Sequence, residues 1–282
     1  MYDVATASGR RFVARLGAPE SAPAFEAAAR WSRRLRPLGV PLPALLAEGR
    51  HRGFPYLVLE RLPGVDLGAA YPALDRATKR SIAAEVARAQ AIVGALPLGA
   101  GFGFAADERD PFPDARWADV VDRELGRARR WIESAGAVDV AIVDRVARAA
   151  AGFGDYFAGV PPRAFLDDTT TKNVIVDAGR LTGIVDVDCV CFGDRLFPIG
   201  LTRASLRNLG HDPDYADAWL ELLRPSPRER AAVSLYTALF CAMFLGEIGQ
   251  TFNRSPATPE PERITRLCAI LEDELARAEG SS

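Results

Sequence analysis

The pattern of apolar and polar positions over the first sixty or so residues reads strand, strand, helix, strand, strand. Tyr2, Val4 and Thr6 are interleaved with Asp3 and Ala5, Ser8-Gly9 offers a tight turn, and Phe12 to Leu16 resumes the period of a half-buried strand. The opening therefore predicts a hairpin. From Ser21 to Leu35 the spacing becomes helical, and Pro37, Gly39, Pro41 and Pro43 end it. A strand over Ala44 to Glu48, a turn at His51-Arg52-Gly53 and a buried strand over Tyr56 to Glu60 follow, closed by Leu62-Pro63-Gly64.

After Gly64 the pattern turns to long helices, predicted over Asp75 to Gly94, Ala115 to Ala135 and Val138 to Phe157, each with Arg, Asp and Glu between the apolar positions. Pro- and Gly-rich loops separate them, the longest over Leu96 to Pro113. Gly101-Phe102-Gly103 within it has no following glycine at phosphate-loop spacing and reads as loop. The strand period returns over Ala164 to Leu166, Val174 to Val176 and Leu181 to Val185, with a turn at Asp177-Ala178-Gly179. Beyond Leu196 the chain reads helical, punctuated by Asp212-Pro213, Pro225-Ser226-Pro227 and Ser255 to Pro261. The expected architecture is α+β: a small mixed lobe over residues 1–62, then a larger, mainly helical lobe over 63–282 with a short hairpin pair set into it.

Composition narrows the function classes. A chain of 282 residues, 49% hydrophobic and 26% charged, is neither disordered nor collagen-like. At this length it buries roughly 70–75% of its unfolded surface and needs no disulfide or metal staple. A net charge of -2 argues against a nucleic-acid partner held by phosphate neutralisation. The four cysteines, Cys189, Cys191, Cys241 and Cys268, form no Cys-x-x-Cys unit, and His51 and His211 are the only histidines, so no zinc spacing exists. Free thiols, no signal peptide and no membrane span give an expected cytoplasmic location, as a monomer or homodimer without membrane or nucleic-acid partners. Of the 35 basic residues only Lys79 and Lys172 are lysines, so lysine chemistry has two candidates.

The chemistry concentrates in Phe165-Leu166-Asp167-Asp168-Thr169-Thr170-Thr171-Lys172-Asn173, with Ile184-Val185-Asp186-Val187-Asp188 a hairpin later. Asp168 leaves the first strand, Asn173 enters the second and Asp186 ends the third. A loop carboxylate can take a proton from a hydroxyl, while an amide oxygen and a second carboxylate suit a hard cation such as Mg²⁺. That division of labour fits phosphoryl transfer, in which positioning and charge neutralisation do most of the work.

These residues resemble the aminoglycoside phosphotransferase and choline kinase branch of the protein-kinase-like fold. The resemblance rests on Asp168-x-x-x-x-Asn173 between apolar strands, on Gly183-Ile184-Val185-Asp186-Val187-Asp188 and on Gly193-Asp194. It extends upstream to Phe12-Val13-Ala14-Arg15-Leu16, Phe25-Glu26-Ala27-Ala28 and Tyr56 to Gly64. It implies a two-lobed kinase that moves the γ-phosphoryl of ATP or GTP, with Mg²⁺, onto a hydroxyl of a small molecule. Asp168 would be the catalytic carboxylate and Asn173 with Asp186 the metal ligands. Arg15 would touch the nucleotide phosphates and Glu26 would orient it, while the carbonyl of Glu60 and the amide of Leu62 would meet the adenine edge. Asp194 would brace the catalytic loop.

The chain departs from the family pattern at three places. Leu166 replaces a usual histidine, with Asp167 where glycine is common, and arginine stands at position 15, since neither lysine lies in the first lobe. Few residues precede the Arg15 strand, where relatives carry another strand and a phosphate-covering loop. Either the Ser8-Gly9 turn is all that remains of that loop, or the lobe is truncated, or the start lies upstream. A catalytically silent protein that binds a nucleotide, metabolite or protein partner is the rival reading. Asp167 and Asp188 stand open between second metal ligands and turn acids. Lys172 could reach a phosphate or simply face solvent. Acceptor recognition has only unmotivated acids as candidates: Asp214, Asp217 and Glu221 near Trp219, and Glu247 in an apolar run that requires it to be paired or to face a cavity. Related folds take aminoglycosides, choline, sugars, homoserine or macrolides, and composition does not choose among them.

Overall fold

In a computed structural model the protein is described over residues 1–106, 112–248, 250–252, 255–256 and 261–280. Residues 107–111 and 257–260, within the stretches expected as loops, lie outside the described residues. Along the chain come β1 (Tyr2–Ala5), β2 (Arg11–Leu16), α1 (Ala22–Leu35), β3 (Leu45–His51), β4 (Phe54–Glu60), β5 (Val65–Asp66), α2 (Leu67–Ala70), α3 (Arg76–Gly94) and β6 (Gly103–Ala105). Then follow α4 (Trp117–Ala135), α5 (Ala141–Ala151), α6 (Gly154–Ala158), β7 (Arg163–Phe165), β8 (Val174–Asp177), β9 (Arg180–Ile184) and β10 (Val190–Gly193). The last elements are α7 (Phe197–Asn208), α8 (Asp214–Leu222), α9 (Pro227–Glu247), β11 (Thr251–Phe252), β12 (Ser255–Pro256) and α10 (Pro261–Glu279).

Contacts divide the residues into two compact units, Met1–Pro113 with Pro162–Gly193 and Asp114–Pro161 with Asp194–Ser282. The first holds an antiparallel sheet of order β1-β2-β4-β3 and two three-stranded antiparallel sheets, β5-β8-β9 and β6-β10-β7. The loops of β3–β4 and β8–β9 are two residues long. Arg52-Gly53 and Ala178-Gly179 all have positive φ, the twist that lets antiparallel strands close without splaying. The apolar face of α1 lies on the four-stranded sheet through Ala28, Ala29, Leu57, Phe25 and Leu59. A second cluster joins Trp31 and Leu35 of α1, Ala89 and Val93 of α3, Ala164, Leu166, Ile184 and Phe192. Close approach requires glycine at two positions here: a Cβ on Gly64, at φ +95°, would meet the Val176 carbonyl oxygen at 2.0 Å, and one on Gly183 would meet the Leu62 side chain at 2.5 Å.

In the second unit α9 packs against α4, α5, α7 and α10. A Ser226/Glu229 capping box starts it, and its side chains are buried on all sides from Ala231 to Met243. It is long and apolar enough to cross a membrane by length and composition, but 83% of that stretch is packed inside the protein. Its all-round apolar character is therefore that of a central core helix.

The structure departs from the sequence expectation in several elements. The helix expected over Val138 to Phe157 breaks between α5 and α6, where Gly152 ends one helix and Phe153, at φ -103° and ψ 11°, leaves helical geometry before Gly154. Gly103 is not loop but starts β6, paired to Phe192 of β10. The short elements β5, α2 and β10 were not expected, nor was β11.

Candidate active site

The stretch between β7 and β8 is fixed from within. The Asn173 side-chain amide donates to the Asp168 main-chain carbonyl at 3.1 Å, and the Thr170 amide donates to Asp168 Oδ1 at 3.2 Å. Asn173 itself donates from its main chain to Thr170 at 3.0 Å and accepts from Val185 at 2.8 Å. Thr169, Thr170 and Thr171 are buried, whereas Asp168 is exposed. The loop thus turns its hydroxyls inward and leaves one carboxylate to solvent. Leu166, the departure noted above, lies in the core. Asp186 follows β9 with φ 63°, a left-handed conformation that aspartate tolerates better than most residues and that concentrates at functional sites.

Arg15 reaches this acid group. Its guanidinium forks onto Asp188 at 2.6 and 2.8 Å and lies 3.3 Å from Asp186. The expected pairing with Glu26 does not form. Glu26 pairs instead with Arg50 at 2.7 Å, and α1 brings Phe25 to Arg15, whose guanidinium carbon is 5.4 Å from the ring centroid. One residue of helix turns the side chain by about 100°, so the neighbour of Glu26 faces the strand. Asp188, left open by the sequence, is the carboxylate that holds Arg15.

Arg15, Glu60, Leu62 and Asp186 line one cavity of about 310 Å³. Val13, Pro43, Leu59, Ile175 and Val185 give it apolar walls, and Asp3 and Arg61 complete its polar rim. Glu60 is strapped to Ala44 in both directions: its amide donates to the Ala44 carbonyl at 2.8 Å, and its carboxylate accepts from the Ala44 amide at 3.0 Å. Arg61 caps the Leu62 carbonyl at 2.7 Å. Neither lysine lines this cavity: Lys79 is buried 4.1 Å from the Tyr71 ring centroid, and Lys172 is exposed.

The electrostatics favour a cation near Asp186. Partial burial raises its pKa, Arg15 pulls it back, and the charges of Asp188 and Asp168 raise it further. Burial alone would lower the pKa of Arg15, but the hydrogen bonds and charge of Asp188, with that of Asp186, hold it above the ordinary value. Burial, then Asp167, Asp188 and Asp186, push the Cys189 thiol up to about 12, so it is no nucleophile at neutral pH. Among the described residues no group of three His, Cys, Asp or Glu side chains forms a metal cluster. An amide oxygen from Asn173 with the Asp186 carboxylate is a different donor set, all oxygen, and its mutually repelling neighbour carboxylates fit a hard divalent ion. All four cysteines are free.

In the second unit Asp194 is buried. It accepts from the hydroxyls of Tyr156 and Tyr236 at 2.7 Å each and from the Leu196 amide at 2.9 Å, so its bracing is supplied to α6, α9 and the start of α7. Trp117 Nε1 donates to Tyr236 at 2.7 Å and completes the chain of bonds. Two of the acids considered for acceptor binding are engaged by arginine: Asp217 lies 3.5 Å from Arg203, and Glu221 pairs with Arg230. Glu247 is half-buried at the end of α9.

A loop carboxylate and an amide before β8 and a second carboxylate after β9 thus accompany an arginine-lined cavity within the first unit. The profile of the phosphotransferase enzyme family matches residues 1–233, and the chain belongs to that family. No curated protein matches it. Among solved structures, a thermostable variant of aminoglycoside phosphotransferase APH(4)-Ia in ternary complex with AMP-PNP and hygromycin B is 19% identical. Its TM-score is 0.65, over 96% of this chain and 92% of that one. The GDP complex of an aminoglycoside 2'-phosphotransferase-IIIa variant is 15% identical, with a TM-score of 0.64 over 99% and 93%. ADP-bound aminoglycoside phosphotransferase APH(2'')-Ib is 10% identical, with a TM-score of 0.62 over 98% and 93%. The chain therefore has the α+β fold of these enzymes, with an antiparallel sheet in the N-terminal region and a helical C-terminal part.

Proposed function

We propose that the protein is a small-molecule kinase that transfers the γ-phosphoryl group of ATP or GTP to a hydroxyl of its acceptor, with Mg²⁺. The observation that carries this reading is that Arg15, Glu60, Leu62 and Asp186 line one cavity together. The apolar walls would take the nucleotide base, and the Glu60 carbonyl and the Leu62 amide would meet its edge. Arg15 contacts the phosphates while Asp188 holds its other edge. Asn173 and Asp186 would hold the metal, and the chemistry it would supply there is neutralisation of charge on the phosphates. Asp168 accepts the hydroxyl proton as the acceptor oxygen bonds to phosphorus and the bond to the β-phosphate oxygen breaks. Its solvent exposure leaves it open to an acceptor.

The bound molecules of the solved relatives support a purine nucleotide donor and a cationic, polyhydroxylated acceptor: AMP-PNP with hygromycin B in one, ADP and GDP in others, and gentamicin with APH(2")-IIa. Free thiols support a reducing compartment, the cytoplasm. A second reading, nucleotide binding without turnover, draws on Arg15 lying 3.3 Å from Asp186, where a guanidinium stands by a carboxylate needed for the metal. Titrating ATP and GTP with and without Mg²⁺, then following phosphate release with a panel of aminoglycosides, separates the two. Mg²⁺-dependent binding with turnover supports the kinase; binding without turnover supports the silent protein.

A further inference from the structure

Gln90 sits at a core position of α3, on the face that carries Ile82, Ala83, Val86, Ala89 and Val93. A buried carboxamide is costly unless its hydrogen bonds are made. Here they are made to one place. The Leu166 amide donates to Gln90 Oε1 at 2.9 Å, and Gln90 Nε2 donates back to the Leu166 carbonyl at 2.8 Å. The carboxamide thereby acts as one more strand residue laid against the main chain just past β7. The same Nε2 lies 3.3 Å from Thr169 Oγ1. Asp168 is thus bracketed, two residues before and one after, by anchor points on a single side chain. The helix that carries it is fixed as well, since Arg163 of β7 donates to the Gly94 carbonyl at 2.8 Å and Ala89 and Val93 share a core with Ala164 and Leu166.

We propose that Gln90 is a positioning residue: its carboxamide clamps the main chain at Leu166 and sets the place of the Asp168 carboxylate. This rests on the reading of Asp168 as the proton acceptor. A misplacement of about 1 Å at a reacting group can cost on the order of 100-fold in rate without touching substrate binding.

The test uses the full chain with Gln90→Met, which keeps length and helix propensity but removes both bonds, and Gln90→Glu, which keeps the acceptor for the Leu166 amide and removes the donors. Amide hydrogen exchange of residues 166–171, MgATP affinity and MgATP hydrolysis to water are read in each. Gln90→Met is expected to speed exchange in 166–171 about tenfold, the weight of roughly one net hydrogen bond, with exchange in β8 and β9 unchanged. MgATP affinity stays within about twofold while hydrolysis falls on the order of 100-fold, and Gln90→Glu falls between the two. Unchanged exchange in 166–171 overturns the clamp, and a loss of affinity in step with turnover overturns the positioning role. Should Gln90→Met fail to fold, Gln90→Glu carries the same comparisons. If the unsubstituted protein binds no MgATP, the kinase reading fails, while exchange still decides whether Gln90 holds the loop.

Discussion

Replacing Asp188 with asparagine tests whether a carboxylate just past β9, and not one on α1, holds the phosphate-contacting arginine. The native fork consists of two charge-assisted bonds, 2.6 and 2.8 Å long, between side chains exposed by 16% for Arg15 and 36% for Asp188. An asparagine retains one acceptor oxygen but turns an NH₂ toward the guanidinium, so one bond and the charge attraction are lost. Charge-assisted bonds contribute about 1.5–3 kcal/mol, and the exposure of Asp188 screens part of this. Asp186, 3.3 Å away, retains some hold on Arg15. About 1.4 kcal/mol remains at stake, equivalent to roughly tenfold in MgATP affinity. Calorimetric titration of MgATP into Asp188→Asn, Arg15→Ala and the double variant reads the effect and its route. The expected pattern is a roughly tenfold loss in Asp188→Asn and no further loss when Asp188→Asn is added to Arg15→Ala. Affinity equal to or above the native value in Asp188→Asn, or full additivity in the double variant, would refute the reasoning.

Other outcomes follow from the second unit. Tyr236→Phe removes the hydroxyl that accepts from Trp117 and donates to Asp194, leaving a buried indole N–H without that acceptor; urea unfolding is expected to show a loss of about 2–3 kcal/mol, and a change below about 0.5 kcal/mol would contradict the network. Burial is the largest influence on Asp194 and raises its pKa, against the lowering effect of its three hydrogen bonds. A raised folded-state pKa contributes stability below the ordinary aspartate value that is lost as pH rises through the folded value. The stability of the native protein relative to Asp194→Asn is therefore expected to increase as pH falls from neutral toward 4, and a pH-independent difference in unfolding experiments would argue against a raised pKa.

The strands that frame the site were legible because their apolar residues run or alternate over five or more positions between turn residues, as at Phe12 to Leu16 after Ser8-Gly9 and at Tyr56 to Glu60 between Arg52-Gly53 and Pro63-Gly64, and the Asp168, Asn173 and Asp186 spacing could be read beside them. The elements missed lack that signal. β10, Val190–Gly193, is buried at every position, and β6 has three residues, so neither alternates and both owe their form to partners far along the chain. α2 is a single turn that Asp66 caps by accepting from the Ala69 amide. Within the site, Glu26 was misplaced because a helical pattern in Ala-rich sequence does not fix which of two neighbouring residues faces the sheet. The partner of Arg15 was hidden because residues 185–189 are irregular and Asp186 has positive φ, so no period gives the direction of Asp188. Gln90 did leave a trace: a carboxamide at a position that helical spacing assigns to the core must find partners.

The central claim is that Asp168 takes the proton of an acceptor hydroxyl beside a nucleotide held by Arg15, Asn173 and Asp186. The most direct measurement is phosphoryl transfer from MgATP and MgGTP by the native protein and by Asp168→Asn, with nucleotide affinity measured on the same samples. The account predicts that the variant binds nucleotide as the native protein does while turnover falls by at least about 100-fold. Undiminished turnover in Asp168→Asn, or a native protein that binds neither nucleotide in the presence of Mg²⁺, would contradict it.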